Sequence, residues 1–423
     1  MCHLETCRRG PDNLVSLRPG SYSGATVPKE SLSPEPPAQA EAKSVCIMGS
    51  TGSIGRSTMD VVRALRPKYR VTGLCAARRW RELAAQAAET RPSAVAIAEP
   101  SHADSIKPLL NGSTELLVGP EGLVELAGRA DSNFVVAAIV GAAGLASTIA
   151  AVRAGKRVGL ANKEALVVAG SILIPLAERS GACLLPIDSE HSAIFQSMTA
   201  GRPSEVQRTL LTASGGPFRT WSGPEIAQAS VEDALRHPTW KMGPKITVDS
   251  ATMVNKALEI IEARWLFGLP VESIEVLVHP ESIIHSMVEF CDGSVIAQLG
   301  TPDMRTPIQY SLTYPNRVSG CATRLDFATI RRLNFEPPDL ERFPALRLGY
   351  EVARAGGTAG AVFNAANEAA VEAFLGRRIP FGRIVQLIEE VLGRHTVSPS
   401  PDLNELLEAD SWARREVVEC LKD

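Results

Sequence analysis

Residues 43–55 read Lys43-Ser44-Val45-Cys46-Ile47-Met48-Gly49-Ser50-Thr51-Gly52-Ser53-Ile54-Gly55, and this stretch decides the fold. An apolar run leads directly into three glycines with the spacing G-x-x-G-x-x-G, and a helical pattern follows over residues 56–65. A strand, a glycine turn and a helix in this order let backbone amides and the helix N-terminus hold a pyrophosphate. We therefore predict a dinucleotide site here; a plain glycine turn is the alternative.

The chain from residue 44 to about 187 alternates short apolar runs with helical patterns. The apolar runs are 44–48, 70–76, 94–98, 134–139, 157–160 and 183–187. Such alternation is typical of βαβ units and a parallel sheet. The sequence therefore predicts an α/β protein with an N-terminal Rossmann-like parallel sheet over residues 44–187.

The remainder of the chain shows two further patterns of secondary structure. Strand patterns at 206–213, 274–278, 283–290 and 295–299, with a hairpin turn at Asp292-Gly293, predict a central α/β domain over residues 188–320 with antiparallel pairing. Residues 215–245 are too long for a plain connection and are interpreted as a lid. After a linker at 321–339, helical patterns at 345–355, 358–375, 381–394 and 409–421 predict a C-terminal helical bundle over residues 340–423.

Composition excludes several classes of partner. The 47 acidic and 44 basic side chains, with a pI near 6.2, create no field that would attract nucleic acid or an anionic membrane. No stretch approaches the ~18 apolar residues of a membrane span. The eight cysteines are scattered without metal-ligand or disulfide spacing, which favours the cytoplasm.

Residues 1–43 differ from the rest because they are rich in Pro, Ser, Glu and Gly and lack an apolar period. We predict a disordered tail. Plastid targeting is less favoured, since transit peptides are poor in acidic residues and this segment contains five.

Three carboxylates indicate a site for a hard cation. Asp188 and Glu190 follow an apolar run, and at i and i+2 they would leave a strand on one face. The carboxyl end of a strand is where open α/β sheets bind ligands, and Glu259 supplies a third carboxylate. A surface patch is the alternative.

The region around residue 255 has the composition of a phosphate receptor. Asn255, Lys256 and Glu259 share a face of a predicted helix. Ser250, near the expected start of this helix, adds a hydroxyl beside exposed amides. The alternative is an exposed ion pair of Lys256 with Glu259 or Glu262.

Two further segments suit an anionic substrate and its cofactor. Ser214 and the two glycines after it can hold an anion, and His237 lies within the predicted lid. Arg78 and Arg79 stand where an NAD enzyme would place a carboxylate, so NADP is favoured. A structural histidine and two solvated arginines are the alternatives.

These motifs together resemble the 1-deoxy-D-xylulose 5-phosphate reductoisomerase family. The resemblance covers residues 44–420. It rests on GSTGSIG at 49–55, ANKE at 161–164, IDSEH at 187–191, SGGPF at 214–218, HPTWKMG at 237–243, DSATMVNKALE at 249–259, HPESIIHSMV at 279–288 and LGTPDMRTPI at 299–308. It implies NADPH- and divalent-metal-dependent (Mg²⁺, Mn²⁺ or Co²⁺) conversion of 1-deoxy-D-xylulose 5-phosphate to 2-C-methyl-D-erythritol 4-phosphate in non-mevalonate isoprenoid synthesis, by a cytoplasmic homodimer.

The resemblance also implies roles for individual residues. The metal ligands would be Asp188, Glu190 and Glu259, and the catalytic residues Lys163, Glu190, Glu259 and His237. Substrate would be bound by Lys163, Ser189, Glu190, Ser214, His237, Ser250, Asn255, Lys256 and Glu259. NADPH would be bound by Thr51, Gly52, Ser53, Ile54, Ala77, Arg78, Arg79, Asn162, Glu164 and Gly243. The segment Ala77-Arg78-Arg79 differs from the residues usual in the family at these positions. The resemblance therefore does not specify how the 2′-phosphate of NADPH is recognised.

Two other classes of function share part of this pattern. Another NADP-linked oxidoreductase, such as a semialdehyde or homoserine-type dehydrogenase, would explain the first domain but not three carboxylates beside a phosphate site. A catalytically silent nucleotide-sensing module would explain only the glycine turn. Divalent-metal dependence of NADPH oxidation distinguishes the three.

Overall fold

The computed structural model describes residues 42–422. The strands are β1 Lys43–Met48, β2 Tyr69–Ala76, β3 Ala94–Ile97, β4 Glu115–Val118, β5 Phe134–Ala137, β6 Arg157–Leu160, β7 Cys183–Pro186, β8 Val206–Ala213, β9 Ile274–Val278, β10 Ile284–Phe290 and β11 Val295–Leu299. The disordered tail predicted for residues 1–43 lies outside the described residues, except at its last two positions, and Lys43 already belongs to β1.

The helices flank the sheets and fill the C-terminal part. They are α1 Ser53–Ala64, α2 Trp80–Thr90, α3 Ala103–Ile106, α4 Gly119–Gly128, α5 Leu145–Arg153, α6 Lys163–Ser180, α7 Ser189–Met198, α8 Gly223–Ala227, α9 Val231–Ala234, α10 Pro244–Ala251, α11 Val254–Phe267, α12 Arg305–Thr313, α13 Ala345–Ala355, α14 Ala359–Leu375, α15 Arg383–Arg394 and α16 Leu403–Cys420. Between residues 42 and 422, no helix has both the length and the apolar character that crossing a membrane requires.

Seven parallel strands form the first sheet in the order β4-β3-β2-β1-β5-β6-β7. The order reverses between β1 and β5, which creates the crevice where open α/β sheets bind ligands. The predicted fold class is confirmed. The sequence missed β4, because this four-residue edge strand is half exposed and too short to show a period.

Four strands form the second sheet in the order β11-β10-β8-β9. The expected antiparallel pairing joins β10 to both β8 and β11, but β8 and β9 are parallel. The difference follows from the connection between β8 and β9, because the crossover through α10 and α11 returns the chain in the same direction.

Helix α12 returns from the second sheet to the first. Its Ile308 and Leu312 are buried in the core that contains Val45 and Ile47 of β1. The hydroxyl of Tyr69 in β2 donates to the backbone oxygen of Leu312 at 3.0 Å. Residues 305–313, placed in the central domain by their sequence position, therefore pack with the N-terminal sheet.

The C-terminal helices enclose α14, which is buried over most of its length. Helix α14 packs against α15, α16 and α6, and α13 packs against α11. Since α6 and α11 also pack against each other, the C-terminal bundle supports the two helices that supply most of the candidate site.

Candidate active site

The candidate site lies at the carboxyl ends of β6 and β7, where two helices begin. Lys163 is the first residue of α6, and Asp188 is the N-cap residue of α7. The prediction that Asp188 and Glu190 share one face of a strand is wrong, because β7 ends at Pro186 and Glu190 belongs to the first turn of α7. Residues i and i+2 point about 200° apart on a helix. A helix start is nevertheless a favourable place for acidic side chains, because the helix dipole is positive there.

Three carboxylates and two lysines form a buried cluster between α6, α7 and α11. Lys163 Nζ contacts Asp188 and lies 3.1 Å from Glu259 Oε1. Lys256 Nζ lies 2.9 Å from Glu190 Oε1 and also contacts Glu259. Each ammonium group bridges two carboxylates, and the fully buried Glu259 is shared by both. The alternative of a surface patch is therefore wrong.

Burial and mutual attraction together set the charges in this cluster. Burial alone would lower the pKa of Lys163, but the surrounding carboxylates, Asp188 foremost, raise it well above its usual value. Burial likewise opposes the charge of Asp188, yet Lys163 holds the pKa of that carboxyl well below its usual range. For Glu259 burial prevails, and together with Glu190 it raises the pKa. A further cation would stabilise the charged form of Glu259.

Sequence reasoning missed two buried side chains beside the cluster. His191 places Nδ1 3.2 Å from Glu262 Oε2 and Nε2 3.0 Å from the backbone oxygen of Glu259. Possible ligand atoms of Asp188, His191 and Glu259 all lie within 4.8 Å of one another, whereas Glu190 is outside this group. The available signal was the i, i+3 spacing of Asp188 and His191, which makes them neighbours on a helix.

The region around residue 250 forms two helices where the sequence suggested one start. Met253 adopts a left-handed φ of 62°, which separates α10 from α11. Ser250 lies in the last turn of α10, so its predicted position at a helix start is wrong. Lys256 lies in the first turn of α11 and is 3% exposed, so the alternative of an exposed ion pair is also wrong.

Two other predicted substrate residues border the cluster. Asn255 accepts a hydrogen bond from Lys163 Nζ at 2.9 Å, and its amide donates to Glu259 at 2.5 Å. Ser189 donates to Glu190 Oε2 at 2.5 Å. The structure therefore joins Asn255 and Ser189 to the carboxylates and lysines through direct contacts.

Ser214 and His237 are also brought together, with Ser214 Oγ 3.0 Å from His237 Nε2. Nδ1 of His237 accepts backbone hydrogen bonds from Thr239 at 3.1 Å and Trp240 at 2.9 Å. A ring nitrogen that accepts cannot hold a proton, so in the neutral ring Nε2–H donates to Ser214 Oγ. Ser214 Oγ also accepts from the N–H of Gly216 at 3.2 Å, which leaves its own hydroxyl proton free to donate.

Only part of the predicted lid is loosely packed. Its first part docks on the C-terminal helices: Phe218 is fully buried, with its ring 5.0 Å from that of Phe381, and Arg342 donates to the backbone oxygen of Trp221 at 2.7 Å. Residues 235–243 have neither helix nor strand, and none of their side chains is fully buried. We call residues 235–243 the lid segment.

The glycine turn lies at the switch point between β1 and β5. Gly49 has a φ of 85°, and a Cβ atom there would lie 2.6 Å from the backbone oxygen of Ala138. A Cβ atom at Gly55 would lie 2.4 Å from the backbone oxygen of Gly49. Both positions therefore require glycine. The predicted cofactor residues 51–54 form this turn and the first residues of α1.

The two arginines after β2 have different surroundings. Arg79 donates to the backbone oxygen of Thr51 at 2.9 Å and so braces the glycine turn. The side chain of Arg78 is 81% exposed and lies 3.7 Å from Glu99. Ala77 precedes them directly after the strand. The exposed side chain of Arg78 is therefore the candidate for binding the 2′-phosphate of NADPH. Arg79 instead holds the backbone of the glycine turn.

The other predicted cofactor residues lie at the starts of α6 and α10. Asn162 donates to the backbone oxygen of Gly141 at 3.0 Å, in the loop after β5. Glu164 accepts from Lys245 Nζ at 2.7 Å, and Gly243 is the N-cap residue of α10.

Fold and site together define an NADP-linked oxidoreductase of the Rossmann class with an adjoining pocket of carboxylates and lysines. Three family models match the chain: 1-deoxy-D-xylulose 5-phosphate reductoisomerase over residues 45–170, its C-terminal domain over 184–267, and the DXP reductoisomerase C-terminal domain over 299–416. The chain belongs to the 1-deoxy-D-xylulose 5-phosphate reductoisomerase family.

Individual relatives agree with this assignment. The 1-deoxy-D-xylulose 5-phosphate reductoisomerases of Pelotomaculum thermopropionicum and Chlorobium chlorochromatii are 50% and 51% identical, over 90% and 88% of this chain and 99% and 98% of theirs. The Zymomonas mobilis enzyme in complex with NADPH has a TM-score of 0.85 at 46% identity, covering 90% of this chain and 100% of that one. A DOX-P reductoisomerase in complex with NADPH, fosmidomycin and magnesium has a TM-score of 0.86 at 41% identity, covering 90% and 98%.

Proposed function

We infer that this chain converts 1-deoxy-D-xylulose 5-phosphate to 2-C-methyl-D-erythritol 4-phosphate with NADPH and a divalent cation, in isoprenoid precursor synthesis. The observation that carries this inference is the buried carboxylate and lysine cluster, which lies at the same edge of the parallel sheet as the glycine turn. A dehydrogenase without a metal would not need Glu259 fully buried among other carboxylates, and a nucleotide-sensing module would not need the cluster at all.

The residues present fit a hard divalent cation. Asp188 and Glu259 offer oxygen ligands within 4.8 Å of each other, which is the donor type that Mg²⁺ and Mn²⁺ prefer. Glu190 lies in the first turn of α7, which Asp188 caps. It would become a third ligand if it exchanged its contact with Lys256 for one with the cation. We therefore propose Asp188, Glu190 and Glu259 as the metal ligands, with His191 as a neighbour that touches the same space.

The substrate phosphate is assigned to the hydroxyl, amide and ammonium groups around α10 and α11. We propose that Ser214, Ser250, Asn255 and Lys256 hold it. The free hydroxyl proton of Ser214 can donate to a phosphate oxygen, because His237 and a backbone N–H already satisfy its acceptor positions. Binding energy from the phosphate, which takes no part in the rearrangement itself, holds the reacting carbons in register.

The cofactor is assigned to the switch point of the first sheet. We propose that NADPH contacts residues 51–54 and 77–79, with Asn162, Glu164 and Gly243 on the opposite side. The amides of the glycine turn and the N-terminus of α1 are suited to its pyrophosphate.

The proposed catalytic residues are Lys163, Glu190, Glu259 and His237. When bound, the divalent cation polarises the ketose oxygens as a Lewis acid and NADPH supplies the hydride. The carboxylates around Lys163 raise its pKa, which favours the ammonium form, and this group can donate hydrogen bonds to substrate oxygens. His237, whose pKa burial lowers to about 4, remains neutral and orients Ser214. The lid segment would close over the reacting carbons and exclude water.

Removal of the metal tests this function. Protein treated with a chelator should show no NADPH oxidation by 1-deoxy-D-xylulose 5-phosphate, and Mn²⁺ should restore it. Glu259→Gln keeps the shape of the side chain but removes a charged ligand, so it should lose about a hundredfold or more in kcat/KM and require more Mn²⁺. NADPH binding should persist in both cases, as the control. Full turnover without metal, or normal turnover of Glu259→Gln at low Mn²⁺, would contradict the assignment.

We further propose that the chain acts as a cytoplasmic homodimer. Strand β11 is an edge strand whose Val295 and Ile296 are 46% and 38% exposed, a pattern that invites pairing with a second copy. Cysteines of the described residues remain free thiols, in agreement with a reducing compartment. The two relatives from Pelotomaculum thermopropionicum and Chlorobium chlorochromatii are bacterial proteins.

A further inference from the structure

Three consecutive side chains at the start of α6 connect to three different parts of the molecule. Asn162 bonds the loop after β5, and Lys163 bonds the carboxylate cluster. Glu164 instead bonds Lys245, in the first turn of α10 and two residues after the lid segment. The proposed cofactor and substrate sites and the end of the lid segment therefore meet at one helix start.

Lys245 is held between two buried carboxylates. Its Nζ lies 2.7 Å from Glu164 Oε1 and 2.8 Å from Asp249 Oδ2, and these carboxylate side chains are 8% and 1% exposed. The other oxygen of Asp249 accepts from Asn367 Nδ2 of α14 at 2.9 Å. Four side chains thus link α6, α10 and α14: Glu164, Lys245, Asp249 and Asn367. None of them is among the proposed substrate contacts.

Helix α10 connects this ion pair to the end of the lid segment. Gly243 is its N-cap residue, and both the N–H and the hydroxyl of Thr247 donate to the backbone oxygen of Gly243, at 3.1 and 2.8 Å. Lys245 lies one helical turn from Asp249, so the ion pair and the cap tie the same turn. The position of Gly243 relative to Asn162 therefore depends on the bond between Lys245 and Glu164.

We propose that Lys245, with Asp249, is a positioning residue that fixes the end of the lid segment against the first turn of α6 and so sets the width of the NADPH site. The proposal rests on the proposed function, because Asn162, Glu164 and Gly243 are assigned to the cofactor there. A buried ion pair contributes little net stability compared with an apolar pair of similar volume, but it specifies geometry. The metal cluster should be independent of this pair, since its contacts run through Lys163 and α11.

The test compares two ligands in direct titrations of the full-length protein. Lys245→Met should weaken NADPH binding about tenfold or more, which is the change expected when one charge-assisted contact of the cofactor is lost. Binding of the phosphonate hydroxamate fosmidomycin in the presence of Mn²⁺ should change less than threefold. Asp249→Asn, which keeps the volume and removes one charge, should shift NADPH affinity in the same direction. Lys422→Met is the control and should leave both affinities unchanged, because the side chain of this lysine is 63% exposed and pairs with Glu419 at the surface.

Unchanged NADPH affinity in both variants would overturn the proposal, and so would an equal loss for both ligands, which would indicate general loosening. Should Lys245→Met fail to fold, Asp249→Asn decides. Hydrogen exchange of the wild-type protein provides an independent measurement: NADPH should protect the amides of 162–166 and 243–249 together, and protection of only one segment would contradict the coupling. If the wild-type protein failed to turn over 1-deoxy-D-xylulose 5-phosphate, the proposed function would be wrong. The NADPH titration would still test the role of Lys245, because it does not require turnover.

Discussion

Lys256 shows how strongly the tertiary setting alters the meaning of a residue. In the sequence it forms an i, i+3 pair with Glu259, which most often marks a solvated helix face. In the structure this pair is buried, and a second carboxylate, Glu190, contacts the same ammonium group. Burial opposes the charge of Lys256, but Glu190 and Glu259 raise its pKa, so it remains a cation at neutral pH.

Replacing Lys256 should weaken the grip on the substrate phosphate. Lys256→Ala is expected to lose roughly 1.5–3 kcal/mol of fosmidomycin affinity, because a charge-assisted hydrogen bond to the phosphonate disappears. Calorimetric titration measures this, and NADPH affinity should hardly change. The melting temperature should fall in metal-free buffer, since Glu190 and Glu259 lose their shared cation, and Mn²⁺ should recover part of the loss.

A surface pair of the same spacing provides the control for Lys256. Lys422 and Glu419 are also i, i+3 and lie 2.7 Å apart, but their side chains are 63% and 58% exposed. Lys422→Ala should alter neither ligand affinity nor stability measurably. Unaltered fosmidomycin affinity in Lys256→Ala would remove this residue from the phosphate site.

The two arginines after β2 should affect cofactor binding differently. Arg78→Ala is expected to raise the KM for NADPH several-fold and leave the KM for NADH nearly unchanged, because the exposed guanidinium is proposed to bind the 2′-phosphate that NADH lacks. Arg79→Ala should raise both constants, because it removes the brace on Thr51 in the turn. Steady-state kinetics with both cofactors decides, and equal behaviour of the two variants would contradict this division.

At the scale of elements, the 215–245 connection divides into an anchored and an open part. The apolar residues Phe218 and Ile226 bury themselves against the C-terminal helices, so α8 and α9 are held in place. The lid segment that follows is retained by few contacts. Among them are the bonds that His237 makes to Ser214 and to the backbone of residues 239–240.

Opening of the lid segment should therefore depend on pH. Burial lowers the pKa of His237 to about 4 while its ring contacts Ser214, and we call this position of the segment closed; the pKa returns to about 6.5 when the ring is exposed. The open state thus binds more protons between these values, so the closed state is fully favoured above pH ~6.5 and loses stability as the pH falls toward 4. Brief proteolysis at residues 235–243 should be faster at pH 5 than at pH 7.5. His237→Gln cannot titrate, and an equal pH effect in that variant would assign the effect to another group.

At the scale of the whole molecule, two sheets and a helical bundle share one core. Helix α12 covers the first sheet although it follows the second in sequence, and α6 and α11 are packed by C-terminal helices. Because these elements support both ligand sites, destabilising the bundle should affect catalysis at a distance. This packing also leaves the edge of the second sheet uncovered, with Val295 and Ile296 exposed.

Disruption of this edge tests the homodimer. The wild-type protein should have the mass of a dimer in light scattering after gel filtration, and Ile296→Lys should shift it toward the monomer, because a charged edge strand resists pairing. Val418→Lys is the matched control, since Val418 is 50% exposed on α16, away from the sheet. A dimer that persists in Ile296→Lys would place the interface elsewhere.

Features governed by neighbouring residues were predictable from the sequence alone. The bounds of β6, β8, β9, β11 and α13 agree with the apolar and helical periods, because these periods reflect which side faces the core. The glycine turn was also predictable from the sequence. Its geometry leaves no room for a Cβ atom at Gly49 and Gly55, so the turn requires the glycines that mark it. The motif order was specific enough to identify the family.

Tertiary structure alone decided how distant residues meet. Lys163 and Glu259 are 96 positions apart, and α12 crosses back to the first sheet; neither follows from a local pattern. The same holds for the helical start at Asp188, where the end of β7 and the dipole of α7 outweighed the alternating pattern. Local propensity is worth fractions of a kcal/mol per residue, whereas burial of one large apolar side chain is worth about 1.5–3 kcal/mol. The packed molecule therefore determined how the proposed site residues meet, and it added His191 and Glu262 beside them.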